Sequence, residues 1–250
     1  MNDLSIKWKD FYKNVFALVV PMALQNLINV GVTAADVVML GKVSEKVLSG
    51  ASLAGQIQYI MVLFLFGLTS GATVLTAQYW GKGDKTAIEK ILALGIRSAV
   101  IITAIFTIAA FTIPASLMRI FTNDPQVIAE GVKYLRIVAC SYIIMGITNV
   151  YLYVMRSIER VIVATVVYLA SFLCNVVFNA IFIFGLFGFP ALGIRGAAIA
   201  TLIARIMELV LVCGYAKIYN RCKIQSSLFP SSGQTVSERF LSLFPPSCFK

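Results

Sequence analysis

The chain has 250 residues, 59% of them hydrophobic and 13% charged, with a formal charge of +10 and a mean hydropathy of +0.88. Soluble domains carry about a quarter of their residues as charges, so a water-soluble globule is excluded, and so is disorder, which stems from too little apolar surface. There is no histidine, which removes Ser-His-Asp triads, imidazole zinc sites and histidine proton relays. No GxxxxGK phosphate loop marks an ATPase, and no nucleophile–base or metal constellation lies in the apolar runs. The composition is that of a bilayer protein and not of an enzyme.

Charge-free runs cover residues 14–35, 47–81, 98–118, 137–155 and 161–194. A crossing needs about 20 apolar residues, so each run supports one helix. A sixth run, near 196–216, contains Arg205 and Glu208, three apart on one helical face, where they can neutralise each other. Runs this long are helical, because lipid leaves no partner for an open strand edge. The predicted fold is all-α, a polytopic transmembrane bundle of six helices within residues 1–225. The helices are placed near 14–38, 47–79, 96–118, 130–155, 161–187 and 194–218.

With the amino terminus inside, fourteen Lys and Arg residues fall on the inner side and six on the outer. That excess predicts a multi-pass protein of the cell membrane with both termini cytoplasmic. It also accounts for the net charge through topology and contact with the lipid bilayer, so no nucleic-acid partner is expected. The first apolar run is longer than a signal h-region and has no small-residue cleavage pattern, so the first helix is expected to stay. Residues 226–250 contain seven serines and three prolines and read as a disordered Ser/Pro-rich tail. The five cysteines, Cys140, Cys174, Cys213, Cys222 and Cys248, are widely spaced without a CxxC pair and read as small hydrophobes.

In the first helix Gln25, Asn29 and Asp36 fall within about 40° of one another, with Thr33 at the edge. A polar stripe in a membrane helix should face protein or water, which makes Gln25 and Asn29 candidates for a cavity or polar face. Asp36 has no cation within four residues. It fits a buried site, or a helix end at headgroup level, since Gly41 follows. Pro21 frees a backbone carbonyl, giving either a fixed packing bend or a movable joint. In the fifth helix Asn175 and Asn179 share a face, as interhelical glue or as carbonyl ligands for a hard cation. Gly67 and Gly71 form a GxxxG, and small residues from Gly193 to Thr201 open the sixth helix; both allow close helix contact. Tyr79 and Trp80 suit an interface anchor before the turn Gly81, Lys82, Gly83, Asp84.

Three segments together resemble the multidrug and toxic compound extrusion (MATE) family. They are PMALQNLINVGVTAADVVMLGKV, GATVLTAQYWGKGD and NVVFNAIFIFGLFGFPALGIRGAAIATLIAR, and the similarity runs over about residues 10–223. The resemblance implies one six-helix half of a two-lobe secondary transporter that exchanges organic cations for Na⁺ or H⁺, without a further cofactor. It implies that Asp36 is the acid of this lobe, with Asn175, Asn179 and Thr201 completing the cation or proton site. Asp36, Asn175 and Asn179 are then the expected Na⁺ ligands. Some relatives carry an acid where this chain has Asn179, which leaves Asp36 as the single carboxylate there. The family has about twelve helices, so a carboxy-terminal lobe is missing from the count. A homodimer could imitate the two lobes, and a premature stop after a frame change would give the same pattern. The alternatives to an exporter are a non-transporting truncated fragment and a lipid-linked oligosaccharide flippase of related fold, for which a basic cavity is expected.

Overall fold

The computed structural model describes residues 8–219. Eight α-helices follow one another: α1 Trp8–Gly41, α2 Glu45–Gly81, α3 Lys85–Thr112, α4 Pro114–Arg119, α5 Pro125–Ala139, α6 Tyr142–Ser157, α7 Val161–Phe184 and α8 Ile194–Tyr219. A single 3₁₀ turn, Leu186–Gly188, lies between α7 and α8. Among the described residues there is no strand. Helices α1, α2, α3, α7 and α8 are each long and apolar enough to cross a bilayer, and α5 with α6 makes a sixth, bent crossing. The chain is a multi-pass, all-α membrane protein. The tail at 226–250, Cys222 and Cys248 lie outside the described residues.

The helices overrun the charge-free windows because their ends are set by caps, which charge does not reveal. Asp84 caps α3 by accepting from the Ala87 amide at 3.0 Å, a residue type favoured there because it satisfies an orphan amide. The turn before it needs Gly83, whose φ is +73°. At the far end α3 stops at Thr112, ahead of Pro114, so the helix expected over 96–118 is divided. Pro114 instead opens α4, a position where its missing amide costs nothing.

The helix expected over 130–155 is also two. It begins earlier, at Pro125, with Asp124 as its cap, and bends by 53° between α5 and α6. No proline or glycine sits at the bend. The amides of Cys140 and Ser141 bond three residues back, to Ile137 and Val138, and the Ser141 hydroxyl also takes the Val138 carbonyl at 2.7 Å. A serine hydroxyl that competes for a carbonyl in this way bends the ladder.

The bundle is ordered by burial. Ten of the sixteen residues of α6 are buried, and it touches α2, α3, α7 and α8. Helix α1 stands at the periphery, packed mainly on α7 and lightly on α2, with Leu24, Leu27, Val30 and Val38 facing outward. Exposed apolar faces are what a lipid solvent requires, since the hydrophobic requirement then falls on the outside.

Small residues matter where α7 meets α8. Gly196, Ala197, Ala198 and Ala200 are buried, and a Cβ on Gly196 would sit 2.5 Å from the Phe182 carbonyl oxygen. The GxxxG of α2 does not work this way. Nothing lies within 4 Å of a Cβ built on Gly67 or Gly71, so among the described residues the motif makes no close helix contact.

The contrast predicts opposite effects of one methyl group on α8. Gly196→Ala is expected to destabilise by about 1–3 kcal/mol, the usual range for overpacking. Gly214→Ala meets nothing within 4 Å and should be neutral or gain up to about 1 kcal/mol from helix propensity. Thermal unfolding of the detergent-solubilised chain, followed by circular dichroism, compares the two.

Candidate functional site

Helices α1 and α7 run side by side in the same direction, Gln25 meeting Val161 near one end and Asp36 meeting Asn179 near the other. Helix α8 returns antiparallel to α7, so that Ser171 faces Ala204 and Asn175 faces Thr201. This arrangement assembles one chain of hydrogen bonds. The Asn179 amide donates to the Asp36 carboxylate and to Asn175 Oδ1 at 2.9 Å. Asn175 Nδ2 donates to Thr201 Oγ1 at 3.4 Å, and Thr201 donates to the Ala197 carbonyl at 3.0 Å. The two asparagines, four apart on one face of α7, therefore join α1 to α8.

The carboxylate of Asp36 turns toward α7, and α1 continues to Gly41. Asn175 and Asn179 are buried, and Asn179 Oδ1 has no hydrogen-bond partner. Tyr134 of α5 comes to the same place, lining one cavity with Asp36 and Thr201. Sequence reasoning missed it. Its face on the helix could not be assigned without the bend at residues 140–141.

Asp36, Asn175 and Thr201 lie on the wall of a cavity of about 770 Å³. Asn29 and Thr33 of α1 line it too, together with Asn26, which the angular analysis did not single out. Gln25 does not. It is turned into α7, donating to the Val161 carbonyl at 3.2 Å and to Thr165 Oγ1 at 2.7 Å. The polar stripe of α1 is thus split: Gln25 fastens the helix, while Asn29 and Asp36 face the cavity. Helix α1 runs unbroken past Pro21, one turn from the Gln25 anchor.

The remaining charges on the wall are Arg156 of α6 and Arg205 of α8. Arg205 binds Glu208 at 2.7 Å, the i, i+3 pairing expected from the sequence, with Glu208 fully buried. Arg205 sits one helical turn from Thr201, and its charge also acts on Asp36.

The donor set suits a small hard cation: a carboxylate, two amide oxygens and a hydroxyl. The orphaned Asn179 Oδ1 is a spare ligand within it. Among the described residues, no three His, Cys, Asp or Glu side chains come together in a way that could hold a metal ion. A single carboxylate balances one positive charge, which fits a proton or Na⁺ better than a divalent ion.

Comparison with known proteins agrees with this architecture. The MatE family model matches residues 21–181, more than half of the chain. A probable multidrug resistance protein NorM of Thermotoga maritima is 28% identical over 198 residues, covering 77% of this chain and 42% of the relative. Its counterpart in Bacillus licheniformis is 32% identical over 207 residues, covering 80% and 44%. The chain thus spans about half the length of the curated relatives it matches.

Among solved structures, a multidrug resistance MATE family transporter of the MOP superfamily in its outward-facing conformation superposes with a TM-score of 0.77 at 19% identity. The match covers 94% of this chain and 52% of that one. A MOP superfamily transporter from Pyrococcus furiosus, described as having a binding pocket of reversed polarity, gives 0.76 at 19% identity with the same coverage. These likenesses establish the fold. With the family model matched across α1 to α7, the chain belongs to the MatE family.

Proposed function

We propose that this chain forms the amino-terminal lobe of a cation-coupled exporter of organic cations in the cell membrane, and that Asp36 binds the coupling Na⁺ or H⁺. The observation that carries this reading is Asp36, which lies on the wall of a cavity of about 770 Å³ and whose carboxylate accepts from the buried Asn179 behind it. An ionised group at membrane depth is costly unless it meets a partner. Neutral amides hold the anion without cancelling its charge, so an arriving monovalent cation or proton finds a favourable place. The names of the NorM relatives as multidrug resistance proteins support efflux. The excess of basic residues on one side supports cytoplasmic termini.

The chemistry of the coupling step belongs to the network. Protonation of Asp36 removes the anion that Asn179 is donating to, whereas Na⁺ bridges the carboxylate to the asparagine oxygens of α7; either alters the α1–α7 contact at that end. The Gln25 contact at the other end is untouched. Such a change favours one arrangement of α1 over another, which is what coupling requires: a ligand that distinguishes two states. A second lobe, from a carboxy-terminal half or a second copy, completes the cavity opposite these helices.

The flippase reading calls for a basic cavity. Here Asp36 offsets one cation, and Glu208 neutralises Arg205, so the wall is close to balanced and the exporter is favoured.

Reconstituted into vesicles, the chain is expected to move ethidium against its gradient when an inward Na⁺ or H⁺ gradient is imposed, and the ion that works identifies the coupling. Asp36→Asn should abolish this flux; flux that persists in the variant would remove Asp36 from the mechanism. Independently of transport, if Na⁺ is the ion it should raise the unfolding temperature of the wild-type chain and not of Asp36→Asn, because only a ligand of the native state stabilises it.

Thr201→Val keeps the shape and deletes one hydroxyl. Loss of one neutral partner is worth about 1 kcal/mol. The ion concentration for half-maximal stabilisation should therefore rise about fivefold, with Asp36 chemistry otherwise intact. An unchanged midpoint would exclude Thr201 from the site.

A further inference from the structure

One buried acid has no part in the hydrogen-bond network of Asp36. Glu208 of α8 is fully buried, and it lies behind the cavity wall while its partner Arg205 lies on it. The Arg205 side chain keeps 25% of its surface exposed. The bond between the two is single. Arg205 Nη1 donates to Glu208 Oε2 at 2.7 Å, and Glu208 Oε1 is buried without a partner.

Mutual neutralisation lets α8 cross the bilayer, and i, i+3 spacing achieves it within one helix. That explains why the two charges occur together. It explains neither the place of the cation on the wall nor the unused oxygen. A guanidinium carries five donors in a fixed fork and matches a carboxylate best through two parallel bonds; here Glu208 takes one. Arg205 stands one turn from Thr201, which Asn175 and Asn179 link to Asp36, and its charge acts on Asp36. Arg156, the other cation of the wall, is engaged elsewhere: its guanidinium carbon lies 4.7 Å from the centre of the Tyr153 ring and 5.5 Å from that of Tyr168.

We propose that Asp36 and Glu208 share Arg205 as a tethered counterion, so that Glu208, a positioning residue outside the ion site, sets how readily Asp36 takes the coupling ion. The proposal rests on the reading of Asp36 as the ion-binding acid. A cation on a tether competes with a free one as if it were present at high local concentration. Arg205 drawn onto Asp36 excludes an ion of the same charge, whereas Arg205 held by Glu208 leaves the carboxylate to that ion. A single bond keeps the hold adjustable where a two-point pair would fix it. Filling of Asp36 and pairing of Arg205 with Glu208 then favour each other, and by reciprocity departure of the ion loosens the pair.

The test uses the full chain in nanodiscs, in Na⁺-free buffer at neutral pH, and a hydrophobic carbodiimide. The reagent attacks the neutral acid, so a carboxylate held as an anion by Arg205 reacts slowly. Mass spectrometry of the peptide that carries Asp36 gives the rate at this residue alone. No gradient or substrate is needed, so a chain that fails to transport still returns a rate. E208Q, which frees Arg205, is expected to slow the reaction of Asp36 by about tenfold or more, the worth of a hydrogen bond between charged groups. R205Q/E208Q replaces the pair by neutral groups of similar shape and should react faster than the wild-type chain.

The order of the rates separates positioning from packing. Were Glu208 a packing residue only, E208Q would lower the unfolding temperature and leave the rate at Asp36 unchanged, which overturns the proposal. A slow reaction that persists in R205Q/E208Q also overturns it, because Glu208 would then act without Arg205. Circular dichroism and size exclusion certify each variant. Should E208Q not fold, R205Q/E208Q decides alone: a faster reaction than wild type supports the shared cation, and an equal or slower one overturns it.

Discussion

The contact between the Asp36 carboxylate and the Asn179 amide is the constraint on which the arrangement of this lobe depends. Helix α1 is long but thinly packed: its apolar side faces outward, and α7 is its principal neighbour. Between helices in lipid the apolar driving force is weak, because hydrocarbon tails are as apolar as leucine. Polar contacts therefore fix the register. Two of them do so here, Gln25 to Val161 and Thr165 near one end, and Asp36 to Asn179 near the other. The first is between neutral groups and is insensitive to ions. The second depends on the charge of a carboxylate. A helix held by one permanent and one conditional contact has a natural pivot, and Pro21 lies a single turn from the permanent one.

The other helices are held differently. Helix α6 fills the middle of the lobe, buried on most of its surface, and the bend at residues 140–141 lets α5 leave it toward α2 and α8. That bend brings Tyr134 of α5 to the cavity wall beside α8. The Thr201 end of the network is thereby placed by two helices, α5 and α8, whose positions owe little to Asp36. On the proposed function, a conditional contact on α1 against a frame of α5, α7 and α8 confines the consequence of ion binding to α1.

Much of this was legible in the sequence, and the reason is physical. Charge-free runs of bilayer length mark crossings because lipid excludes charge. Asn175 and Asn179 stand out because amides are rare in so apolar a run, and four residues put them on one face. Arg205 and Glu208 announce each other by spacing, and they meet. Helix ends were not legible from charge, because caps such as Asp84 and Asp124 lie outside the apolar windows.

The bend between α5 and α6 was hidden because a serine hydroxyl makes it, and serine also sits in straight helices. Gln25 shows the limit of angular reasoning. It lies at the margin of the polar face, and only the position of α7 decides that it turns away from the cavity. Gly67 and Gly71 fit a contact motif, but a motif needs a partner helix, and among the described residues none lies against that face.

Helix α8 carries one of the cavity's two cations, Arg205, together with its buried counterion Glu208. Thr201 and Arg205 are one turn apart, and Glu208 follows within the next. Thr201 of the proposed ion site and the Arg205–Glu208 pair thus share one rigid element. Arg205 is held by Glu208 at 2.7 Å while its charge also reaches Asp36. Truncating Glu208 would leave an uncompensated guanidinium close to the carboxylate, a cost of several kcal/mol for a buried pair broken on one side. The pair is therefore more than a stabilising contact. Glu208 engages the guanidinium of Arg205 within α8, and on the proposed function this leaves the Asp36 carboxylate to the coupling ion.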